Sequence, residues 1–135
     1  MKFAFNMESD LHYVCSLLVY IAQETNNYIS DVIKLFPKKE LTKQLKFAHI
    51  NHCLAIEEVV EDIVGKLNIP NGNFYGLGKE FEYVTLGDIY KAFVISYYLN
   101  YRHKLNLELE DALYNVLSSP ISKTVDQLSF GDIKS

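Results

Sequence analysis

Apolar residues recur at three- and four-residue intervals through most of residues 10–67 and 87–128. In the first stretch, one face of a helix would carry Leu11, Val14, Leu18, Ile21 and Ala22. The 6 glycines and 3 prolines are few for an all-β protein, which needs many turns. The pattern therefore predicts an all-α protein, a compact bundle of about six to seven helices, with at least half of its residues helical.

Four helices are predicted in the first half of the chain. The first covers about residues 10–25, with Ser9 as its N-cap and Asn26-Asn27 at its end. Pro37 closes a short second helix, because proline disfavours helix in the residue before it. The remaining two are predicted at residues 39–49 and, from an N-cap at Asn51, at about 51–67.

Turn-forming residues and aromatics interrupt the helical pattern between positions 68 and 86. Within this loop, the alternation of Phe81, Tyr83 and Thr85 with polar residues favours a short extended segment. Helices are predicted again at about 87–103 and 106–118, and Ser119-Pro120 opens a last short helix. The prediction is a single domain over residues 1–135, made of helical units 9–67 and 87–128, the loop 68–86 and a loose tail at 129–135.

The residues central to the apolar stripes are predicted to form the core. In residues 87–103, the stripe falls on Ile89, Phe93, Val94, Tyr97 and Tyr101. The predicted core consists of Leu18, Ile21, Ile33, Val60, Ile63, Phe93, Val94 and Leu113.

The composition indicates an intracellular protein. The net charge of −4 argues against nucleic-acid binding by the whole surface. No apolar run approaches the roughly 18 residues that cross a bilayer. Cys15 and Cys53 are too few and too distant to indicate a disulfide framework. The sequence predicts a cytoplasmic protein without a membrane partner, and no cofactor is expected.

His49, His52 and Cys53 lie close together in the sequence. On one continuous helix, the two imidazoles could share a metal ion, with the thiol as a further ligand type. Zinc sites usually present a second pair of ligands, which the sequence does not spell out. The three residues therefore define an alternative metal site, beside a simpler interpretation as a helix junction capped by Asn51.

Two charged surfaces are predicted on neighbouring helices. The first surface is acidic, and its residues lie on both sides of an apolar stripe: Glu57, Glu58, Glu61 and Asp62. This arrangement is typical of a solvated helix face, and it could also bind a protein partner. The second surface is basic, and its residues share one helical face: Lys39, Lys43 and Lys46. Such a face is usually solvated, and binding of an anionic partner is the alternative interpretation.

The glycine-containing loop carries three large aromatic residues, Phe74, Tyr75 and Phe81. Aromatic rings in a loop favour either a binding surface or packing, because leaving them in water is unfavourable. Two interpretations follow: a partner-binding surface, or rings that fill the gap between the two helical units. A second aromatic set at Tyr97-Tyr98-Leu99-Asn100-Tyr101 precedes Arg102 and is interpreted as the end of a buried helix.

Residues 14–22, 29–33 and 57–63, the last preceded by His52, look like a family of short, uncharacterised bacterial helical proteins. Genes of that family neighbour those of ADP-ribosyltransferase-like proteins, in an arrangement that resembles toxin–antitoxin operons. The similarity covers about residues 9–66, and residues 86–128 resemble the second half of a longer relative. The resemblance implies a protein-binding role rather than catalysis.

The predicted function is that of a small intracellular protein-binding protein, an antitoxin or accessory component that binds an ADP-ribosyltransferase-like toxin. One alternative is a metal-dependent enzyme or sensor built on His49, His52 and Cys53. The second is a nucleic-acid-binding regulator that uses Lys39, Lys43 and Lys46, which the acidic net charge makes the less favoured. Whether the protein forms a homo-oligomer is left open.

Overall fold

A computed structural model describes residues 2–74 and 83–134, with side chains from 7–74 and 83–127. These residues form eight helices and no strand, and helices account for 75% of the chain. The prediction of an all-α bundle with at least half of its residues helical is therefore confirmed. In chain order the helices are α1 (Lys2–Thr25), α2 (Ile29–Ile33), α3 (Lys38–Lys46), α4 (Ala48–Asn51), α5 (Ile56–Leu67), α6 (Tyr83–Tyr101), α7 (Leu109–Leu117) and α8 (Pro120–Lys134).

Helix α1 lies at the centre of the bundle and contacts α2, α3, α4, α5 and α6. Its stretch from Leu11 to Ala22 is apolar on nearly all sides, as expected of a helix with neighbours around it. Residues on opposite sides of this stretch, such as Leu17, Leu18 and Val19, are all buried. The central position of α1 follows from this all-round apolar surface.

The most extensive helix–helix contact joins α1 to α6. The two backbones approach closely where Gly87 lies against Ser16. A Cβ atom at position 87 would lie 2.3 Å from Ser16 Oγ and 2.8 Å from Ser16 Cα. Only glycine fits this crossing without moving one of the helices.

Three asparagines in the left-handed conformation end helical segments. Asn26, Asn68 and Asn106 have φ angles of 57°, 54° and 54°. In each case the next residue donates its backbone N–H to the carbonyl five positions earlier, as in Asn27 N–H to Ala22 O at 2.9 Å. Asparagine tolerates this conformation better than most residues, so it is well suited to stop a helix. The predicted end of α1 at Asn26-Asn27 is confirmed.

Most of the predicted core is buried, but one residue is not. Leu18, Ile21, Ile33, Val60, Ile63, Val94 and Leu113 are all less than 9% exposed. The prediction for Phe93 is wrong, because its side chain is 42% exposed. Ile89 and Tyr101 from the same predicted stripe are also exposed. The buried face of α6 is instead formed by Leu86, Gly87, Tyr90 and Val94.

Several predicted helix boundaries differ from the structure. Helix α1 begins at Lys2, so Ser9 lies within it and is not an N-cap. Asn51 ends the short helix α4, and the N-cap of α5 is Ala55. Tyr83 and Thr85 belong to α6, so the extended segment predicted there is absent from the described part of this loop. Helix α8 continues to Lys134, into the segment predicted to be a loose tail.

Asp126 is a buried carboxyl that links three helices. It is fully buried on α8, and its Oδ2 accepts the backbone N–H of Ile29 at 2.9 Å, at the first residue of α2. The hydroxyl of Tyr90 on α6 donates to its other oxygen and lies 2.9 Å from the Ser122 carbonyl. Burial raises the pKa of Asp126 to about 6, although the hydrogen bonds from Tyr90 and Ile29 oppose this.

We expect Asp126 to make the stability of the protein depend on pH. Its pKa in the unfolded chain is the ordinary 3.8, which is below the folded value. Between about pH 4 and pH 6, Asp126 is therefore protonated in the folded protein and ionised in the unfolded chain. The stabilising contribution of Asp126 is fully present below pH 4 and is lost as pH rises through about 6, a change of about 3 kcal/mol. Asp126→Asn removes this titration.

Urea denaturation of wild type and Asp126→Asn from pH 4 to pH 7.5 measures the effect. The free energy of unfolding of the wild type, minus that of the variant, should decrease by about 2 kcal/mol between pH 4 and pH 7.5, most of the full change. The other carboxyl groups are common to both proteins and largely cancel in this difference. A difference that stays constant with pH would contradict the assignment.

None of the described helices is both long enough and apolar enough to cross a membrane.

Candidate partner-binding groove

A groove lies between the C-terminal half of α6 and the junction of α7 with α8. It has a volume of about 390 Å³. Large side chains form most of its wall, and they are separated by short polar ones. The lining consists of Phe93, Ser96, Tyr97, Asn100, Tyr101, Asn115, Val116, Ser119 and Ile121.

The sequence of α6 explains why this groove is apolar. The helix buries Leu86, Tyr90 and Val94, chiefly against α1. A second stripe, containing Ile89 and Phe93, follows the adjacent side of the same helix and is exposed. A helix with apolar residues on both sides normally packs against something on both sides.

The exposed anchors of the groove are Phe93, Tyr101 and Ile121, which are 42%, 43% and 60% exposed. No charged side chain occurs among the described residues that line it. Asn115 Nδ2 donates to Tyr97 Oη at 3.3 Å and connects the two walls. Aromatic and aliphatic anchors with uncharged polar neighbours are typical of the centre of a protein–protein interface.

The loop aromatics are only partly described. Phe74 is half-buried and stacks on Tyr28, with ring centroids 4.0 Å apart. Lys123 Nζ lies 4.6 Å from the centroid of the same Tyr28 ring. Phe74 therefore packs against the turn between α1 and α2. Tyr75 and Phe81 lie outside the described residues.

The structure separates the predicted acidic face into two parts. Glu57 hydrogen bonds with Tyr20 and is one of the groups that raise the pKa of that tyrosine, after burial. Glu58, Glu61 and Asp62 line a shallow surface groove together with Gly65 and Lys66. The Lys66 ammonium pairs with Glu40 at 3.0 Å. The three carboxylates of this groove are exposed and have the geometry of a solvated helix face.

His49 and His52 lie in different clefts. His49 lies in α4 and His52 caps the same helix, with its backbone N–H bonded to the Ala48 carbonyl at 2.9 Å, so both belong to one short helix. His49 lines a cleft with Asp10 and Leu109, and His52 lines another with His12. Cys53 is exposed in the turn. Within the described part of the chain, no group of three or more His, Cys, Asp and Glu residues is placed to hold a metal ion.

The three lysines of the predicted basic surface are exposed on α3. Their spacing places Lys39, Lys43 and Lys46 on one helical face, as predicted. Lys43 lies near the Glu40 carboxylate, and Lys46 Nζ lies 5.8 Å from the centroid of the Phe47 ring. One carboxylate and one aromatic ring therefore border this face.

Sequence reasoning missed the groove because its two walls are distant in the chain. Tyr97 and Tyr101 belong to the predicted buried stripe and Ser119 to the predicted start of the last helix, so none of the groove residues is predicted to be part of a site. The apolar composition of α6 on both sides is the feature that indicates an exposed binding stripe. It does not tell which side faces the core.

No protein-family model, curated protein or solved structure matches this chain.

Proposed function

We propose that this chain is a small protein-binding protein and that the groove between α6 and the α7–α8 junction is its partner-binding surface. The observation that carries the proposal is the set of exposed anchors Phe93, Tyr101 and Ile121 around a groove lined by uncharged described residues. Exposed aromatic residues of this kind contribute strongly to binding when a partner removes them from water.

The groove is better suited to a protein partner than the charged surfaces are. Glu58, Glu61 and Asp62 are exposed carboxylates, and burying them would require matching cations. The lysines of α3 carry compact hydrated charges, which favour anion contacts over shape recognition. The groove, in contrast, needs only apolar surface and a few hydrogen bonds.

The occupant that fits is an apolar helix face of a partner protein. From Phe93 to Tyr101 the wall of α6 extends about 12 Å, which corresponds to roughly two turns of a facing helix. A helix presents anchors at i, i+3 or i+4 and i+7 over this length. Because the described lining is uncharged, the facing stripe would be uncharged as well.

We further propose that the partner is an ADP-ribosyltransferase-like toxin and that the protein is its antitoxin or accessory component. The support for this identity is the resemblance of residues 9–66 to the family whose genes neighbour such proteins. Covering an apolar surface of the toxin would neutralise it without a chemical step on this chain.

The test measures the affinity for a candidate toxin of that class from the native host. Phe93→Ala together with Ile121→Ala should weaken binding by at least about 100-fold, because two hot-spot anchors are lost. Both side chains are exposed, so the melting temperature should change little. The matched control is Leu99→Ala with Leu105→Ala, which removes two exposed side chains outside the groove and should change the affinity less than about threefold.

Equal affinities for the groove variant and the control variant would contradict the groove as the binding surface. A loss of binding with a third variant, Glu58→Gln with Glu61→Gln, but not with the groove variant would move the interface to α5. Absence of any interaction with the toxin class, at concentrations up to 100 µM, well above the roughly nanomolar to micromolar range of specific complexes, would contradict the proposed partner.

A further inference from the structure

An exposed apolar stripe lies on the connection between α3 and α5, away from the groove. The backbone winds through α4 and a following turn, since Asn51 N–H donates to Phe47 O and Leu54 N–H donates to Asn51 O, both at 2.9 Å. Spacing of i, i+3 and i+7 places Phe47, Ile50 and Leu54 on one side of this segment. These side chains are 39%, 52% and 52% exposed, whereas Ala48 is buried and α4 contacts α1. The stripe therefore points away from the core.

Phe47 connects this stripe to the lysines of α3. Its backbone N–H donates to Lys43 O at 3.0 Å, so Phe47 continues the helical turn of α3. Spacing of i, i+4, i+7 and i+8 then places Phe47 on the same helical face as Lys39, Lys43 and Lys46. The Lys46 ammonium lies 5.8 Å from the centroid of the Phe47 ring. Three positive charges therefore adjoin the apolar stripe at one end.

The carboxylates of α5 adjoin the stripe at its other end. Ala55 alone separates Leu54 from the first residue of α5. The Lys66 ammonium, near the end of α5, pairs with Glu40 in the first turn of α3 at 3.0 Å. The two helices therefore lie side by side in opposite directions, with the stripe where the chain passes from one to the other. The exposed carboxylates of α5 next to its groove are Glu58, Glu61 and Asp62.

Neither charged face is paired among the described residues. The lysines at 39, 43 and 46 form no ion pair there, and neither do the carboxylates at 58, 61 and 62. One face thus offers three positive charges and the other three negative charges. Two adjacent faces of equal and opposite charge, joined by an apolar stripe, form a surface that is complementary to itself. Self-complementarity is the requirement for a contact with two-fold symmetry.

We propose that this surface is the contact between two copies of the chain. A two-fold axis parallel to α3 and α5, and midway between them, places the stripe of one copy on the stripe of the other. The same rotation places the lysines of α3 in each copy opposite the carboxylates of α5 in its partner. An apolar centre with a charged rim is the usual arrangement of a protein interface. An anionic membrane or a nucleic acid would be attracted by the lysines and repelled by the neighbouring carboxylates.

Charge reversal tests this pairing. Lys43→Glu with Lys46→Glu makes both faces acidic, and Glu58→Lys with Glu61→Lys makes both faces basic. Each variant alone should dimerise at least about tenfold more weakly than the wild type, because like charges then face each other. An equimolar mixture should form a heterodimer at least about tenfold more tightly than either variant forms a homodimer, since the rotation then pairs acidic faces with basic ones. Sedimentation velocity over about 1–500 µM protein measures these affinities.

The apolar stripe has a separate test. Ile50→Ala with Leu54→Ala should weaken the dimer at least about tenfold, because the central apolar contacts are lost from both copies. Circular dichroism should show an unchanged helix content, since both side chains are about half exposed. The matched control is Leu99→Ala with Leu105→Ala, which truncates two exposed leucines outside this surface and should leave the dimer unchanged.

Several results would overturn the proposal. A wild-type protein that stays monomeric up to about 500 µM would lack this contact altogether. Mixed charge-reversal variants that associate no better than each variant alone would contradict the pairing of α3 with α5. A dimer that survives the stripe variant unchanged would use another surface. Monomers that bind vesicles of phosphatidylserine and phosphatidylcholine, and lose this binding with Lys43→Glu and Lys46→Glu, would replace the second copy by a membrane surface.

Discussion

Replacing Leu113 by Ala is expected to lower the free energy of unfolding by about 2–5 kcal/mol. Leu113 is fully buried on α7, which contacts α2, α3, α6 and α8. The loss combines the transfer free energy of the removed methyl and methylene groups with the cost of a cavity among helices that cannot all close in. Urea denaturation followed by circular dichroism measures this loss. If the dependence of the unfolding free energy on urea concentration is unchanged, the substitution has not altered the compactness of the folded or the unfolded state.

Leu105→Ala is the matched control, because the same substitution is made at a side chain that is 54% exposed. It should change the free energy of unfolding by less than about 0.5 kcal/mol. Phe93→Ala should likewise change the free energy of unfolding only slightly, although the sequence pattern places Phe93 in the core. If Phe93→Ala lowered the free energy of unfolding by several kcal/mol, or Leu113→Ala left it unchanged, the described burial of α6 and α7 residues would be contradicted.

Gly87→Ala is expected to destabilise the protein by about 1–3 kcal/mol, even though alanine favours a helix by about 1 kcal/mol over glycine. The new methyl group would lie 2.8 Å from the backbone N and Cα of Ser16, which a side-chain rotation cannot move. Relief therefore requires α1 and α6 to separate along their shared contact, which is the most extensive between the described helices.

Gly65→Ala, the same substitution at another helix position, is expected to stabilise the protein. Gly65 lies within α5, and no atom lies within 4 Å of the position that its Cβ would take. The variant should be stabilised by about 0.5–1 kcal/mol, because alanine loses less backbone entropy on folding. Thermal and urea denaturation of both variants measure the pair. A stable Gly87→Ala protein would contradict the close approach of α1 and α6.

The fold class could be predicted from the sequence because apolar residues recur at helical spacing in most segments. In α1, Leu11, Val14, Leu18 and Ile21 are buried as their spacing predicts. The stop at Asn26 was also readable, since asparagine is one of the few residues that adopt the left-handed conformation. These features depend only on residues near one another in the chain.

The register of α6 was not predictable in the same way. Its apolar residues occur on two sides, so Phe93 and Val94 were equally good candidates for the core by periodicity. The choice depends on the close contact of Gly87 with Ser16, which lie far apart in the sequence. Glycine in a helix weakens a sequence-based prediction, although here it determines which side packs inward.

The candidate sites depend on long-range packing to an even greater extent. The groove joins α6 to the α7–α8 junction, and no local pattern indicates that Tyr97 and Asn115 hydrogen bond to each other. Conversely, His49 and His52 are neighbours in sequence and lie on one short helix, but they line separate clefts. His52 instead shares its cleft with His12, which lies 40 residues earlier in the sequence.

Hydroxyl-radical footprinting of the protein, free and in complex with an ADP-ribosyltransferase-like partner, tests the central claim most directly. Phe93, Tyr101 and Ile121 are exposed in the free protein and should lose most of their oxidation in the complex. Leu99 and Leu105, which are exposed outside the groove, should react equally in both samples. Full reactivity of the three groove anchors in the complex, with protection at any other surface, would contradict the proposal that this groove binds the partner.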